Sequence, residues 1–548
     1  MLNFKKKTMK KLKINALYLL GFFFVLNSCT GDLDVVPKDD DVFLSEAFFA
    51  QPDAYRQGLA GVYGNLSLTG YGDAGSSFLE GIDAGTSQFS RCLWYLQNLT
   101  TDEVIWSYEN DPGTKELQRN IWNASNPIIL GMFSRTMGEV AFTNEFLRQT
   151  TPEKLSGRGV TDPTLLADIE DFRNEARTLR AFAYYNLMDL YGKAPFITEA
   201  APLNTAGPQY DRPQLFAFIE SELNAVLPNL KAPRTNENGR LDQAFARMVL
   251  AKMYLNAEVY IGTNRYADCM DQCSQIIAGG YALKPNYLDN FKADNNVSEE
   301  MIFTLQSDGQ VTQSYGATTV MVNGQVGSLE SNGASLGVGS GGWGGALRLR
   351  KQFVQKFDGV AFDYDARKTI SGGGDRTLEI SDIANRDQGY ILAKYSNISS
   401  TGIPGPNSTF VNTDFPLFRL ADVYLMYAEA QMRKDGATNG SSTANANSQS
   451  LTYINSLRER ANDGNFANVT ASDVTLDFII DERSRELHWE GHRRQDLIRF
   501  GKYTGGTYNW DWKGNGSNGI AISNNLKVFP LPAQSLAANP NLTQNTGY

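Results

Sequence analysis

The most regular hydrophobic pattern in the chain lies between residues 162 and 195. Its apolar residues recur every three to four positions, the period of an α-helix with one buried face. They are Leu165, Ile169, Phe172, Ala176, Leu179, Ala183, Leu187 and Leu190. Asp162 is a suitable N-cap, and Pro163 suits the first helical turn. Gly192, followed by Pro195, stops the pattern, so it predicts one long helix between Asp162 and Gly192.

Other segments with the same period predict further helices. They lie at about 45–63, 212–227, 241–260, 264–279, 416–434, 450–461 and 473–500. Most form pairs joined by short turns, and small residues such as Ala251, Ala257 and Ala428 allow two helices to approach closely. This arrangement is typical of tetratricopeptide hairpins, which repeat every ~34 residues. Because the full repeat consensus is not legible, an irregular helical bundle stays open as the alternative.

The region between the helical sets, residues 281–415, has a different composition. It is rich in Gly, Ser, Asn, Asp and Thr, and the short alternating pieces "EEMIFTLQ" and "YGATTVMV" predict small strands among loops. Loops on a rigid scaffold are where binding residues concentrate. The predicted fold is therefore mainly α, with paired helices and a loop-rich half containing short strands.

The N-terminus has the pattern of a processing signal. The basic stretch "KKKTMKKLKIN" precedes eleven residues, "ALYLLGFFFVL", which are too few to span a bilayer. The next residues, "LNSC", resemble a bacterial lipobox, in which Cys29 would be acylated and become the first residue. We therefore expect a signal peptide at 1–28, an acidic tether at 29–44 and a single domain at 45–548. An ordinary secretory signal with an incidental Cys29 is the alternative.

Charge and cysteine content narrow the possible partners. Removing the six lysines of the signal takes the formal charge from −10 to −16, which disfavours nucleic acid and anionic lipid as ligands. The cysteine content argues against a disulfide framework, because the number of cysteines that follow Cys29, three, is odd. Cys269 and Cys273 are four residues apart with no nearby His or Cys, so we expect buried thiols and not a zinc site.

Sequence signatures of catalysis are weak. The only histidines, His488 and His492, are spaced four apart, but Glu490 is not where a zinc protease needs its glutamate. The surrounding charges instead predict structural ion pairs, formed by Glu482, Arg483, Arg485, Glu486, Glu490, Arg493 and Arg494. "GVGSGG" matches a dinucleotide motif only formally, because no strand precedes it. Carboxylate pairs for glycoside hydrolysis stay possible among 60 acids.

Two segments combine aromatic and polar residues in a way that suits carbohydrate. Residues 90–113, "SRCLWYLQNLTTDEVIWSYENDPG", contain Trp94, Tyr95, Trp106 and Tyr108 among charged and amide residues. Aromatic faces stack on the C–H faces of sugars while polar neighbours bind hydroxyls. In "GVGSGGWGGA", Trp343 has no other large side chain beside it, so we expect a movable stacking platform and not a core residue.

Several motifs together resemble the SusD/RagB family. They are the lipobox cysteine, "NEARTLRAFAYYNLMDLYGKAPF", "GRLDQAFARMVLAKMYLNAEVY", "FPLFRLADVYLMYAEAQ", "DERSRELHWEGHRRQDLIRFG" and "FPLPAQSLAANPNLTQNTGY". The resemblance implies a lipid-anchored surface protein of the Bacteroidetes outer membrane, built on about four tetratricopeptide-like helical hairpins with an irregular loop-rich half. Such proteins are not enzymes; they bind oligosaccharides and pass them to a SusC-like TonB-dependent transporter. No cofactor and no metal are predicted, although acids such as Asp289 and Asp294 leave a structural Ca²⁺ open.

Resemblance to starch-binding members of that family implies a site in the loop-rich half, mainly 65–125 and 281–415. Its residues would be Trp106, Tyr108 and Trp343 as an aromatic arc, with Arg91 and Asn110 or Asp111 binding hydroxyls. The family pattern has a tyrosine in the segment matching "YGATTVMV", where Val320 stands here, and a tryptophan in place of Tyr108. This puts starch in doubt, so another glycan, such as a fructan, or a peptide stays an alternative, as does a surface glycoside hydrolase. We expect Trp510 and Trp512 to be packing residues.

Overall fold

The computed structural model describes residues 45–548 except 71, 80, 81, 83, 373, 374, 441–445, 466 and 467. The described residues form eighteen α-helices and eight short strands. The helices are α1 (Ser45–Phe49), α2 (Ala54–Ser67), α3 (Phe89–Trp94), α4 (Thr114–Gln118), α5 (Pro127–Gln149), α6 (Pro152–Gly157), α7 (Pro163–Tyr191), α8 (Arg212–Val226), α9 (Gln243–Leu255), α10 (Ala257–Ile261), α11 (Tyr266–Ile277), α12 (Ala317–Gly324), α13 (Lys351–Val354), α14 (Leu420–Lys434), α15 (Ser448–Asn462), α16 (Leu476–Leu487), α17 (Arg493–Arg499) and α18 (Ala533–Ala538).

The strands form four two-stranded antiparallel pairs. They are β1 (Val104–Trp106) with β5 (Leu347–Leu349), β2 (Lys193–Pro195) with β3 (Gln209–Asp211), β4 (Met301–Leu305) with β8 (Phe415–Arg419), and β6 (Ile370–Ser371) with β7 (Ile391–Leu392). The predicted strand in "EEMIFTLQ" is thereby confirmed as β4.

The chain divides into two compact units, one ending at Ala54 and one from Tyr55 to Tyr548. In the first unit, the described part is the helix α1 and the turn after it. The helix predicted over 45–63 is therefore two helices, α1 and α2, with a break at 50–53. The predicted signal peptide, Cys29 and the tether 29–44 lie outside the described residues.

The long helix predicted after Asp162 is confirmed as α7. The Asp162 side chain accepts a hydrogen bond from Thr164 N, and Gly192 adopts a left-handed conformation with φ of 72° at the C-terminal end. Helix α7 packs between α5 and α8, α9 packs on α11, and α11, α14 and α15 continue the series. Successive helices therefore pack as neighbours, which confirms the predicted scaffold of helical hairpins.

Helix α5 is the largest element that the hydrophobic pattern does not reveal. It spans 23 residues, yet Arg135, Glu139 and Asn144 on it are buried. Arg135 donates to Ser87 O (2.8 Å), and Asn65 Nδ2 donates to Glu139 Oε2 (2.7 Å). Because polar residues occupy these buried positions, the helix lacks a clean apolar stripe.

Three further predictions need correction. The segment "YGATTVMV" predicts a strand, but residues 317–324 form the helix α12. All eight residues of α12 are buried, so its β-branched residues are explained by burial and not by a half-exposed strand. The helix expected at 416–434 is preceded by β8 and begins only at Leu420. The helix expected at 473–500 is two helices, α16 and α17, because Trp489 (φ 63°) and Gly491 (φ 81°) are left-handed.

The charged cluster predicted around residues 482–494 forms a buried ion-pair network. Arg419 donates to Glu486 and Glu490, and Arg493 donates to Asp102 Oδ1 at 2.7 Å and Oδ2 at 2.6 Å. The Asp102 and Arg493 pair is the link between this network and the segment that leads into β1. Arg494 differs from the prediction, because its Nη2 donates to the carbonyls of Leu526 and Lys527.

Candidate functional site

The candidate site is built where β1 and β5 pair. Trp106, the last residue of β1, lies opposite Leu347, and Ser107 N donates to Ala346 O at 2.8 Å. This pairing brings the segment after β1 next to the glycine-rich segment before β5. As a result, Tyr108 Oη reaches Trp343 O at 3.0 Å although the two residues are 235 positions apart in the chain.

A cleft of about 380 Å³ opens at this junction. The described residues that line it are Gly75, Gly85, Arg91, Trp106, Tyr108, Asp111, Tyr315 and Trp343. The structure thus brings together five of the six residues predicted to bind ligand. The sixth, Asn110, is exposed and does not line the cleft.

The aromatic rings of the cleft meet edge to face. Trp106 lies 6.2 Å from Trp343 between ring centroids at 84°, and 5.9 Å from Tyr108 at 71°. Trp106 is 2% exposed, whereas Trp343 and Tyr108 are half-buried. Trp106 is therefore the fixed central ring, and its two neighbours present additional faces at a steep angle to it.

Hydrogen bonds fix Trp106 and Asp111 together. Trp106 Nε1 donates to Asp111 Oδ2 at 2.8 Å, and Trp106 N donates to Gln118 Oε1 at 2.9 Å. The ring is consequently held in one rotamer, and the carboxylate of Asp111 is held at the cleft.

Arg91 is positioned by the helix on which it lies. It is in α3, one turn before Tyr95, where five residues of π-helix (Tyr95–Leu99) continue the helix. Arg91 Nε donates to Tyr95 Oη at 3.0 Å, and burial raises the pKa of Tyr95. A Cβ at Gly85 would collide with Arg91 Nη1 and lie 3.1 Å from Tyr315 Cβ. Gly85 therefore leaves the space that the guanidinium occupies.

Trp343 has packing partners, contrary to the expectation from its glycine neighbours. Its ring contacts Trp106, and its backbone N donates to Asn323 O at 3.0 Å, near the end of α12. Gly345 N also donates to Val326 O at 2.7 Å. The glycines allow this close docking: Gly342 has φ of 42°, and a Cβ there would overlap the side chain of Val326.

Comparison with known proteins shows the family. Residues 348–548 match the SusD family, and the starch-binding protein SusD of Bacteroides thetaiotaomicron is 32% identical over 98% of this chain and 100% of its own. The chain belongs to the SusD family. A SusD-like protein of Bacteroides ovatus is 23% identical over 89% of this chain and 83% of its own.

Solved structures show the same fold. A SusD superfamily protein from Bacteroides vulgatus has a TM-score of 0.67 at 18% identity, covering 91% of this chain and 99% of its own. Surface glycan-binding protein A from Bacteroides thetaiotaomicron, in complex with laminarihexaose, has a TM-score of 0.66 at 21% identity. It covers 90% of this chain and 99% of its own. These likenesses match the mainly helical scaffold with small strand pairs.

Sequence reasoning missed Tyr315 as a residue that lines the cleft. Val320, the residue compared with the family tyrosine, is fully buried in α12 and presents no ring. Tyr315, five positions earlier, lines the cleft. Its backbone N donates to Thr69 Oγ1 at 3.1 Å, which fixes the backbone at this residue. The signal was present, because Tyr315 begins the quoted segment "YGATTVMV". Gly75 and Gly85 carried no comparable signal.

The two histidines are buried away from the cleft. Burial lowers the pKa of His492 to about 3 and takes the pKa of His488 well below its ordinary value. His492 Nδ1 lies 3.0 Å from Lys252 Nζ, which can donate to it. Among the described residues, no group of three or more His, Cys, Asp or Glu side chains is placed to hold a metal ion. Asp294 instead accepts from Ser400 N and Oγ.

The remaining predictions about packing are confirmed. Cys269 and Cys273 are buried free thiols. Trp510 is fully buried, and half-buried Trp512 donates from Nε1 to Ile380 O at 2.9 Å. Within the part of the chain that the structure describes, no helix is both long and apolar enough to cross a membrane.

Proposed function

We propose that this SusD-family protein is a non-catalytic glycan-binding protein that captures oligosaccharide in the aromatic cleft. The observation that carries the proposal is the grouping of Trp106, Tyr108, Tyr315 and Trp343 with Arg91 and Asp111 around one opening. The name of SusD describes a starch-binding protein, and that of the laminarihexaose-bound neighbour a surface glycan-binding protein. Both names support glycan as the ligand class.

The chemistry of the cleft suits sugar rings. Aromatic faces pack against sugar C–H groups, while the guanidinium of Arg91 donates to hydroxyl oxygens and the carboxylate of Asp111 accepts from hydroxyl groups. If each ring contributes ~1–3 kcal/mol, as for bases stacked on aromatics, two or three rings imply a dissociation constant between about micromolar and millimolar. Such weak binding suits a protein that must release its ligand.

We propose an α-glucan of the starch type as the ligand. The inter-ring angles of 84° and 71° suit a curved ligand surface better than a flat one. Tyr315 supplies a ring that Val320 does not, which answers the part of the sequence objection that concerned Val320. A different glycan, such as laminarihexaose or a fructan, and a peptide are the alternatives that the experiment below tests.

The cleft supports binding without catalysis. Asp111 is the one carboxylate among the described lining residues, whereas most glycoside hydrolases use a pair. Its Oδ2 is already the acceptor for the Trp106 indole. We propose further that lipid on Cys29 anchors the protein at the outer surface of the outer membrane, and that a SusC-like TonB-dependent transporter receives the glycan.

Calorimetric titration of the chain from residue 30 onward tests the ligand assignment. The titrants are maltoheptaose, a cyclic α-glucan, laminarihexaose, inulin and a peptide pool, each also added to Trp343→Ala. The matched control is Tyr364→Ala, which removes an aromatic residue that is 68% exposed and does not line the cleft. Binding of α-glucans that is lost only in Trp343→Ala supports the proposal.

Other outcomes of the titration would reject parts of the proposal. Binding of laminarihexaose or inulin alone would keep the site and reject starch, and binding of peptides alone would reject glycan. Release of new reducing ends from a bound glycan during a day-long incubation would show an enzyme. For the anchor and the partner, we expect wild-type protein to be acylated and to co-purify with an outer-membrane transporter, and Cys29→Ala to lose the acyl mass.

A further inference from the structure

A loop outside the cleft, residues 383–389, is fixed more firmly than its surface position suggests. Two buried arginines donate to its backbone, Arg348 from β5 and Arg376 from the segment before the loop. Their five acceptors are the carbonyls of Ile383, Asn385, Arg386, Gln388 and Gly389. Since charged donors at buried positions make strong hydrogen bonds, the loop backbone has one well-defined arrangement.

The loop is also fixed to the sheet that carries the cleft. Ile383 packs in one apolar cluster with Ile105, the middle residue of β1, and Arg348 is the register partner of Ile105 in β5. The position of the loop relative to Trp106 is therefore set by both apolar packing and hydrogen bonding.

Arg386 reaches from this loop to Tyr108 and to the backbone beside Trp343. Its Nη1 donates to Tyr108 Oη and to Gly344 O, both at 3.1 Å, and its guanidinium lies 5.7 Å from the centre of the Tyr108 ring. Tyr108 Oη in turn donates to Trp343 O at 3.0 Å. One exposed side chain thus connects Tyr108 with the backbone on which Trp343 is carried.

Close approach of the glycine-rich segment makes this connection possible. A Cβ at Gly345 would lie 3.0 Å from Arg386 Cβ and 3.1 Å from Arg386 O, and Gly345 has φ of 73°. A residue with a side chain is therefore disfavoured there both by contact and by conformation. Two of the glycines around Trp343, Gly344 and Gly345, face the arginine that restrains them.

We propose that Arg386 is a positioning residue that holds Tyr108 and Trp343 at the spacing that a bound glycan requires. This rests on the proposed function of the cleft. Arg386 is not among the lining residues, so it acts through the two rings. A glycine-rich segment has much conformational freedom to lose, and a restraint already present before binding lowers the entropy cost of ordering it with the ligand.

Hydrogen–deuterium exchange of the ligand-free protein provides the first test. The amides of Trp343, Gly345 and Ala346 are hydrogen-bonded, to Asn323 O, Val326 O and Trp343 O. In Arg386→Ala we expect their exchange to accelerate about three- to tenfold, because the segment opens more often. Arg56→Ala is the control, since Arg56 is an exposed arginine with an ion pair to Glu237 far from this segment in sequence. It should leave these rates unchanged.

Glycan affinity provides the second test. We expect Arg386→Ala to weaken the affinity about three- to tenfold with an unchanged midpoint of thermal unfolding, as expected when one or two hydrogen bonds are lost from an exposed residue. Tyr108→Phe removes one of the two oxygen atoms to which Arg386 donates, the one that connects it with Trp343 O. In the Tyr108→Phe protein, the fold loss of glycan affinity caused by Arg386→Ala should be less than half of the fold loss that it causes in the wild-type protein.

The two tests separate the inference from the function on which it rests. If no ligand in the panel binds wild-type protein, the proposed function fails, while the exchange rates still support or overturn the restraint by Arg386. If glycan binds, then unchanged exchange, unchanged affinity or independent effects of Arg386→Ala and Tyr108→Phe would each overturn the positioning role.

Discussion

Replacing Asp111 in two ways separates its contribution as a hydrogen-bond acceptor from its charge. In Asp111→Asn, the amide oxygen can still accept from Trp106 Nε1, now 2.8 Å from Asp111 Oδ2. In Asp111→Ala this acceptor is gone, and the indole N–H of a residue that is only 2% exposed loses its protein partner. The two variants therefore differ mainly in whether the central ring of the cleft stays fixed.

The expected magnitudes follow from these contacts. An unsatisfied buried donor costs ~1–3 kcal/mol, and the open side of the cleft favours the lower end because water can replace the carboxylate. For a chain of this size, about 1 kcal/mol lowers the midpoint of thermal unfolding by about 1 °C. In addition, the variant loses the contact of the carboxylate with a glycan hydroxyl, which makes the free energy of binding less favourable by about 1 kcal/mol. Glycan affinity of Asp111→Ala should therefore be at least about tenfold weaker than that of the wild-type protein.

Asp111→Asn should keep its glycan affinity within about fivefold, because it exchanges a charged acceptor for a neutral one without releasing the indole. Calorimetric titration and thermal unfolding of both variants are the assays. Equal affinities for the two variants would refute the argument, since the orientation of Trp106 would then be irrelevant. If the protein were a hydrolase that uses Asp111, turnover would vanish in both variants, including Asp111→Asn.

Three further predictions concern the core of the site and its support. Trp106→Ala should lower the free energy of unfolding by ~3–5 kcal/mol as well as abolish binding, since the ring is buried; chemical denaturation measures this, and a stability loss below 1 kcal/mol would contradict it. Gly342→Ala should weaken glycan affinity because its Cβ overlaps Val326 and its φ is 42°, whereas Gly341→Ala, with no atom within 4 Å of the new Cβ, should bind normally. Burial raises the pKa of Glu139 to about 8, so wild-type protein should lose stability as the pH rises from about 5 to 8 while the carboxyl ionises only in the unfolded state. Glu139→Gln should lack the part of this loss that Glu139 causes, while Glu103 and Asp414, whose pKa values burial raises to about 7 and about 6, keep theirs. The two pH profiles in urea unfolding should therefore diverge, and parallel profiles would exclude the effect.

The sequence predicts elements well where local chemistry marks both ends. Helix α7 carries its own N-cap, first-turn proline and terminal glycine, and its boundaries follow from them. Helix α5 was missed because Arg135 and Glu139 are buried against groups from distant segments, which no local pattern records. The break between α16 and α17 was missed for a similar reason, since a left-handed Trp489 is set by its tertiary surroundings.

The same distinction applies to the site. Composition marked two segments, the aromatic-rich residues 90–113 and the glycine-flanked Trp343. The family resemblance was needed to select five of the cleft-lining residues within them, Arg91, Trp106, Tyr108, Asp111 and Trp343. Tyr315 was passed over because a single position, Val320, was compared instead of the whole segment. Arg386 could not be recognised, because an exposed arginine in a polar loop acquires its role only from Tyr108 Oη and Gly344 O, which tertiary folding brings to it.

The pairing of β1 with β5 has a consequence for how the binding activity can be divided. The two strands join segments more than 200 residues apart, with the helices α4 to α12 between them. No contiguous fragment of moderate length contains both walls of the cleft, so a minimal binding peptide cannot be cut from this chain. Closing so long a segment costs entropy that only the packed helices offset. Glycan binding therefore reports folding of the stretch between the two strands, and a bound glycan should stabilise the helices within it as well as the cleft.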